Sequence, residues 1–207
     1  MSHRYALSPN AIFSTVQGEG LLLGLPVNFL RLAGCSVGCK GCDTDYTVAE
    51  RLTAVEIVER LQRLPKVGTV CVTGGEPTEH PLGPLVESLR ADGYRVALAT
   101  AGVREACRDG FEIDARHFDF VSVSPHFLDD RWKLRTGSQV NIVPGLNGLR
   151  LEDAVGIDLD QWQAGWVTPC WYGARNRMER VSECLAFVGR NPRWRIGIQA
   201  HKYWGVA

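Results

Sequence analysis

The chain reads as an α/β protein whose mainly parallel sheet curls like a barrel and carries fewer helices than strands. Three observations predict this. Short apolar runs rich in β-branched residues alternate with helix-compatible stretches, the pattern of strands joined by crossovers. Some connections, such as Ser124 to Gln139, show weak helical periodicity. The runs also end in punctuated motifs: GC after VNFLRLA, TGGEP after GTVCV, TAG after VALA, SPH after FVSV, TPC after GWV, and QAHKY near the end. In parallel sheets a site gathers at the C-terminal strand ends, and no single local propensity would place six such motifs there.

Val27 to Ala33 is the first strand and leads into a cysteine-rich loop. Thr53 starts a helix, because its hydroxyl can cap and Glu56 completes a capping box. Ile57, Val58, Leu61 and Leu64 form its apolar stripe, and Pro65 follows its end. Gly68 to Thr73 is a buried strand, Leu82 to Ala91 a helix, and Tyr94 to Thr100 a third strand. Phe120 to Ser124 and Gln139 to Val143 are strands closed by Pro125 and Pro144-Gly145. Gly165 to Thr168 and Trp194 to Ala200 are two more. Between them Arg175 to Gly189 is a helix with Met178, Val181, Leu185 and Val188 on one side.

The length of 207 residues predicts one domain, 1–207, large enough for a sizeable core. Lys+Arg and Asp+Glu both number 23, so no global basicity points to nucleic acid. The six tryptophans lack the interleaved basic stretch of a nucleic-acid platform. No signal-peptide pattern or membrane-length apolar run is visible, which predicts a cytoplasmic protein with reduced thiols. Seven cysteines then suggest metal or redox chemistry rather than disulfides. Cys71 and Cys184 read as core; Cys107 and Cys170 have no assigned role.

Cys35, Cys39 and Cys42 stand within eight positions, in AGCSVGCKGCDTDYT, with Gly34, Gly38 and Gly41 marking a folded-back loop. A structural zinc site needs four protein ligands, and a [4Fe–4S] cluster normally takes four cysteines. Three close thiolates suit a cluster with one iron left for an external ligand. On spacing alone a zinc site completed by His80 stays open, as do plain buried cysteines.

The C-x3-C-x2-C spacing after the first strand, together with Thr73 to Pro77 (TGGEP), resembles the radical S-adenosylmethionine (SAM) superfamily. The resemblance implies a partial (βα)6 barrel, a [4Fe–4S] cluster on Cys35, Cys39 and Cys42, and SAM chelating the fourth iron. Reduction of the cluster would cleave SAM to a 5′-deoxyadenosyl radical. Gly74, Gly75, Glu76, Gly102, Ser124 and His126 are implied as SAM contacts.

IFSTVQGEG (12–20), Gly24-x-Pro26, Asn28-Phe29-Leu30-Arg31-x-x-Gly34-Cys35, CDT (42–44) and the closing Trp194-Arg195 and Gln199-Ala200-His201-Lys202-Tyr203 resemble the 7-carboxy-7-deazaguanine synthases of queuosine biosynthesis. This likeness covers most of the chain. It implies a Mg²⁺-dependent ring contraction of 6-carboxy-5,6,7,8-tetrahydropterin with loss of ammonia. It also implies a homodimer and a flavodoxin-type electron donor. Gln17, Gly18 and Glu19 would meet the amide edge of the pterin, and Arg31 would pair its carboxylate in a fork. Thr44 offers a hard oxygen to Mg²⁺. Thr100, His201 and the terminal carboxylate of Ala207 complete the substrate set.

The chain also departs from that family's pattern. Gly41 replaces an aromatic residue before the third cysteine, and Ala101 a polar residue after the third strand. His126 stands for the lysine of S-P-K, and Thr168 for the glutamine of Q-P. These changes keep a second enzyme reading alive: another radical SAM reaction on a related heterocycle, or an activase. A zinc-binding module without catalysis is the rival from outside enzymes, opposed by neutral charge and by the convergence of motifs at strand ends.

Overall fold

The computed structural model describes residues 2–40, 42, 44–171 and 177–206. Among these the sheet has nine strands: β1 (Tyr5–Val16), β2 (Pro26–Leu32), β3 (Glu50–Leu52), β4 (Thr69–Gly74), β5 (Arg95–Thr100), β6 (Phe120–Val123), β7 (Gly137–Ile142), β8 (Trp162–Val167) and β9 (Trp194–Ile196). Their spatial order is β3-β1-β2-β4-β5-β6-β7-β8-β9. From β2 onward neighbours are parallel, and β1 runs antiparallel to both β2 and β3.

The helices are α1 (Ala54–Leu61), α2 (Gly83–Ala91), α3 (Arg177–Arg190) and α4 (Ala200–Trp204). The connections β5–β6, β6–β7 and β7–β8 contain no α-helix among the described residues, which meets the expected deficit of helices. Thr53 caps α1 in a complete capping box with Glu56.

The sheet is open but strongly curved. Six spacings of about 4.8 Å would hold β2 and β9 roughly 29 Å apart in a flat sheet. Yet Gln199, just past β9, donates its side-chain amide to Glu19, in the β1–β2 connection, at 2.9 Å. Only a curled sheet brings those ends together, which is the partial barrel expected.

Three expectations need correction. Trp194 to Ala200 is not one strand: β9 stops at Ile196 and Ala200 opens α4. The buried side of α3 is Cys184 and Phe187, flanked by Val181 and Val188, while Leu185 is exposed. The expected start of that helix at Arg175 lies outside the described residues. Finally neither β3 nor β1 was anticipated, and for β1 the reason is visible in its sequence. Pro9 and Asn10 interrupt its alternation, Asn10 has a positive φ, and the register with β2 shifts between Leu7 and Ile12. A bulge of this kind looks like a turn in sequence.

Candidate active site

Because side chains alternate across a strand, one face of the sheet collects a row of small and polar groups. Phe29, Cys71, Ala97 and Phe120 are successive cross-strand neighbours, as are Arg31 with Thr73, and Ala99 with Ser122 and then Gln139. All nine side chains line one hollow. The intervening Leu30, Val70, Val72, Val96, Val121, Val123 and Val140 belong to the main core. Cys71, expected in the core, is buried but floors the hollow; burial pushes its thiol up to about 12.

The cysteine loop springs from the end of β2. Gly34 N donates to Tyr46 O at 2.9 Å, closing the loop back on itself. Glu79 holds its first turn by accepting from the Ser36 amide and hydroxyl. The two glycines of TGGEP have a local cause. A Cβ on Gly75 would collide with the Gly34 carbonyl oxygen, and one on Gly74 with the Leu32 backbone. Their absence lets Gly75 N reach Leu32 O at 2.8 Å and Glu76 N reach Gly34 O at 2.9 Å, so the end of β4 lies flat against the root of the loop.

Glu76 is buried and accepts from the amide and hydroxyl of Thr78, the Thr100 hydroxyl and the Ala101 amide. Burial raises its pKa, against the pull of those four donors. The carboxylate therefore ties the loop after β4 to the loop after β5.

Among the described residues, the sulfurs of Cys35, Cys39 and Cys42 do not all lie within 4.8 Å of one another. Three ligands of one tetrahedral zinc ion, at about 2.3 Å from it, would stand about 3.8 Å apart. Three thiols on one loop at the edge of a hollow would also suit a larger group met by each sulfur at its own corner. His80, the expected fourth zinc ligand, lines neither hollow at the mouth of the sheet, and its Nε2 is bonded to Ala33 O at 2.9 Å.

Two adjoining hollows occupy the mouth of the sheet. The first, of about 250 Å³, holds the three cysteines with Thr44, Gly74, Gly75, Glu76, Thr100, Ser124 and His126. The second, of about 400 Å³, holds Gln17, Gly18, Arg31 and His201. Glu19, Thr44, Thr73, Ala99, Ser124, Gln199 and Lys202 line both. The residues expected at cofactor and at substrate thus fall into separate, touching spaces. Glu19 and Ser124 border both spaces, and two more residues do not fit that division. Thr100 sits on the cluster side, its hydroxyl engaged by Glu76 and the Gly102 amide. Gly102 lines neither hollow and instead packs against Val123 and Trp132. Ala207 and Gly41 lie outside the described residues.

A family model described as the Radical SAM superfamily matches residues 30–150. A 7-carboxy-7-deazaguanine synthase from Synechocystis is 31% identical over 204 residues, covering 94% of this chain and 90% of that protein. The chain belongs to the 7-carboxy-7-deazaguanine synthase family. A member from Neisseria meningitidis is 28% identical over 94% of this chain and 92% of its own length. The crystal structure of QueE from Escherichia coli has the same fold, with a TM-score of 0.70 at 22% identity, over 96% of this chain and 95% of that one. Radical SAM membership brings a [4Fe–4S] cluster and SAM, and the open thiol loop beside a hollow fits both.

Within this 7-carboxy-7-deazaguanine synthase scaffold the departures have local settings. Ala101 gives its amide to Glu76. The Thr168 hydroxyl donates to Asn141 Oδ1 at 2.7 Å, and a side chain on Gly197 would strike Thr168. His126 is half-buried at the cofactor side, its Nδ1 has no hydrogen-bond partner among the described residues, and burial lowers its pKa. Sequence reasoning gave no role to Gln199, Lys202, Asn141 or Cys170, all of which line the first hollow. The QAHKY motif was the available signal for the first two. Asn141 was visible only as a polar residue inside an apolar strand.

Proposed function

We propose that the chain is a radical SAM lyase that contracts 6-carboxy-5,6,7,8-tetrahydropterin to 7-carboxy-7-deazaguanine, with loss of ammonia, in 7-deazapurine biosynthesis. The observation that carries this reading is the pair of touching hollows, thiols on one side and Arg31, Gln17 and Glu19 on the other. Cys35, Cys39 and Cys42 would hold the cluster, and Gly74, Gly75, Glu76, Ser124 and His126 would border SAM. When bound and reduced, these cofactors supply the carbon radical that starts the reaction.

The protein's own part is to bind and orient. The Arg31 guanidinium lies over the Phe13 ring, 4.7 Å from its centroid. That stacking aims its planar fork at a carboxylate entering the second hollow. Glu19 is steadied by Gln199 and by its own amide, which donates to Gln17 Oε1 at 3.1 Å; its oxygens suit the N–H edge of a pterin. Thr44, bordering both hollows, would offer its hydroxyl to Mg²⁺ beside the substrate carboxylate. His201 packs on Gly18, and the Ala200 amide donates to Gly18 O at 2.9 Å, so α4 closes the pocket over QGEG. A homodimer and a flavodoxin-type electron donor belong to the same reading. Among the described residues no helix is long and apolar enough to cross a membrane; the cytoplasm, where thiols stay reduced, is the proposed compartment.

Anaerobic turnover with 6-carboxytetrahydropterin, SAM, Mg²⁺ and a reductant, read by mass spectrometry, tests this. The expected result is the deazaguanine product with little net loss of SAM. Cleaved SAM without that product would point to another heterocycle, the reading that Ala101 and His126 favour. Zinc without sulfide in anaerobically purified protein would end both.

A further inference from the structure

Gln139 stands on β7 with only 4% of its surface exposed, and its side chain lines the second hollow. Both ends of its amide are engaged. Oε1 accepts the Leu21 amide at 2.8 Å, and Nε2 donates to the Ser122 hydroxyl at 2.9 Å. The turn that carries Leu21 is pressed onto this side chain. Gly20 has a φ of 64°, and a Cβ there would collide with both ends of the Gln139 amide. Only glycine suits that conformation and that approach.

The Leu21 amide fixes the polarity of this row of bonds. A backbone N–H can only donate, so the glutamine presents its oxygen to Leu21 and its NH2 group to Ser122. The Ser122 oxygen is therefore an acceptor on the side of Gln139. Its own O–H donates to no group among the described residues. The cross-strand neighbour on the other side is Ala99, whose side chain has no polar atom to take that proton. Ser122 and Ala99 both line the second hollow, and the O–H is left to donate into it.

Glu19 lies two residues before Leu21 and lines the same hollow. Its carboxylate accepts where the Ser122 hydroxyl donates. A cyclic amide shows the matching pair, an N–H beside a C=O. We propose that Ser122 is a substrate-binding residue that donates its O–H to the ring carbonyl of the pterin, while Glu19 takes the adjacent N–H. Gln139 is the positioning residue that sets the direction of the Ser122 bond. This rests on reading the second hollow as the pterin pocket, and it names the atom by which the pocket tells a 4-oxo from a 4-amino heterocycle.

The test is calorimetric binding of 6-carboxytetrahydropterin and of its 4-amino analogue to the anaerobically reconstituted protein, without reductant. In Ser122→Ala the Kd for the 4-oxo pterin should rise about fivefold, the worth of one neutral hydrogen bond. The Kd for the 4-amino analogue should stay nearly the same. Gln139→Glu keeps an acceptor for Leu21 but offers Ser122 a carboxylate that captures its proton, so the 4-oxo pterin alone should weaken again. An unchanged 4-oxo affinity in Ser122→Ala overturns the proposal. Equal weakening of both ligands, the mark of a displaced loop, also overturns it. If Ser122→Ala does not fold, Gln139→Glu decides by the same two comparisons. A wild-type chain that binds neither ligand overturns the reading of the hollow, and this proposal with it.

Discussion

The Thr100 hydroxyl donates to Glu76 Oε1 at 2.6 Å, joining the ends of two neighbouring strands inside the barrel mouth. Glu76 Oε2 accepts only the Ala101 amide in this network. In Glu76→Gln, an amide group has to face either that N–H or the cluster of donors at Oε1. One buried donor loses its acceptor, at a cost of about 2 kcal/mol. The melting temperature should drop by about 6 °C, with weaker SAM binding. Calorimetry and SAM titration check this; an unshifted melting temperature would remove Glu76 as the brace between the two loops.

Gly75→Ala tests why the TGGEP glycines are glycines. The added methyl group would meet the Gly34 carbonyl oxygen, which is backbone and cannot rotate aside. Overpacking of this kind costs about 3 kcal/mol. The displaced strand end should also move Cys35, so anaerobically reconstituted protein should retain less iron. Denaturant unfolding and iron analysis report the two effects. Normal iron with normal stability would mean that the loop root is more yielding than its packing indicates.

Gln199→Ala removes the donor that steadies Glu19 at 2.9 Å and the acceptor for Lys202 Nζ at 3.1 Å. A hydrogen bond to a charged group contributes about 1.5 kcal/mol, roughly tenfold in binding. The pterin KM should rise about tenfold while iron content and SAM cleavage without substrate stay the same. Steady-state kinetics at saturating SAM measures it. A fall in kcat at unchanged KM would argue against Gln199 acting through ground-state binding.

His80 predicts a pH dependence of stability. Its imidazole is half-buried with Nε2 on Ala33 O; burial lowers its pKa, outweighing the Ala33 contact and Glu79, which favour the charge, while His3 and Arg108 disfavour it. A depressed pKa means that the folded chain binds the proton less readily than the unfolded one. The stabilising contribution is therefore complete above about pH 6.5, the unfolded value, and is lost as pH falls through the lower folded value. His80→Gln keeps a side-chain N–H for Ala33 without a titrating ring. Thermal melts at pH 7.5 and pH 5.5 should show the wild type losing more than the variant on acidification. Equal losses would place the acid sensitivity elsewhere.

What the sequence determined by itself was local and periodic. The capping box of α1 depends on residues three apart. Strands β2 and β4 to β8 show as short apolar runs because one face of each packs into the main core. The punctuated motifs converge because parallel strands all point the same way, so chain order alone places GC, TGGEP, TAG and SPH at one edge. The cysteine motif was legible for a similar reason: all three thiols share one loop, though their spacing alone left zinc open beside a cluster.

What only the tertiary structure decided was which distant groups meet. No periodicity links Glu19 to Gln199, or Asn147 to the Cys39 loop. Those contacts exist because the sheet curls, and curvature is a property of all the strands together. Cys71 shows the limit most plainly. A cysteine in an apolar run reads as core, yet its face of β4 turns toward the hollow, and the choice of face is set by the register with β2 and β5. The five-residue α4 was missed because a helix so short has no stripe to read; it is held by its packing on Gly18. Local chemistry named the parts of this site, and long-range packing, invisible to any window of sequence, set which of them touch.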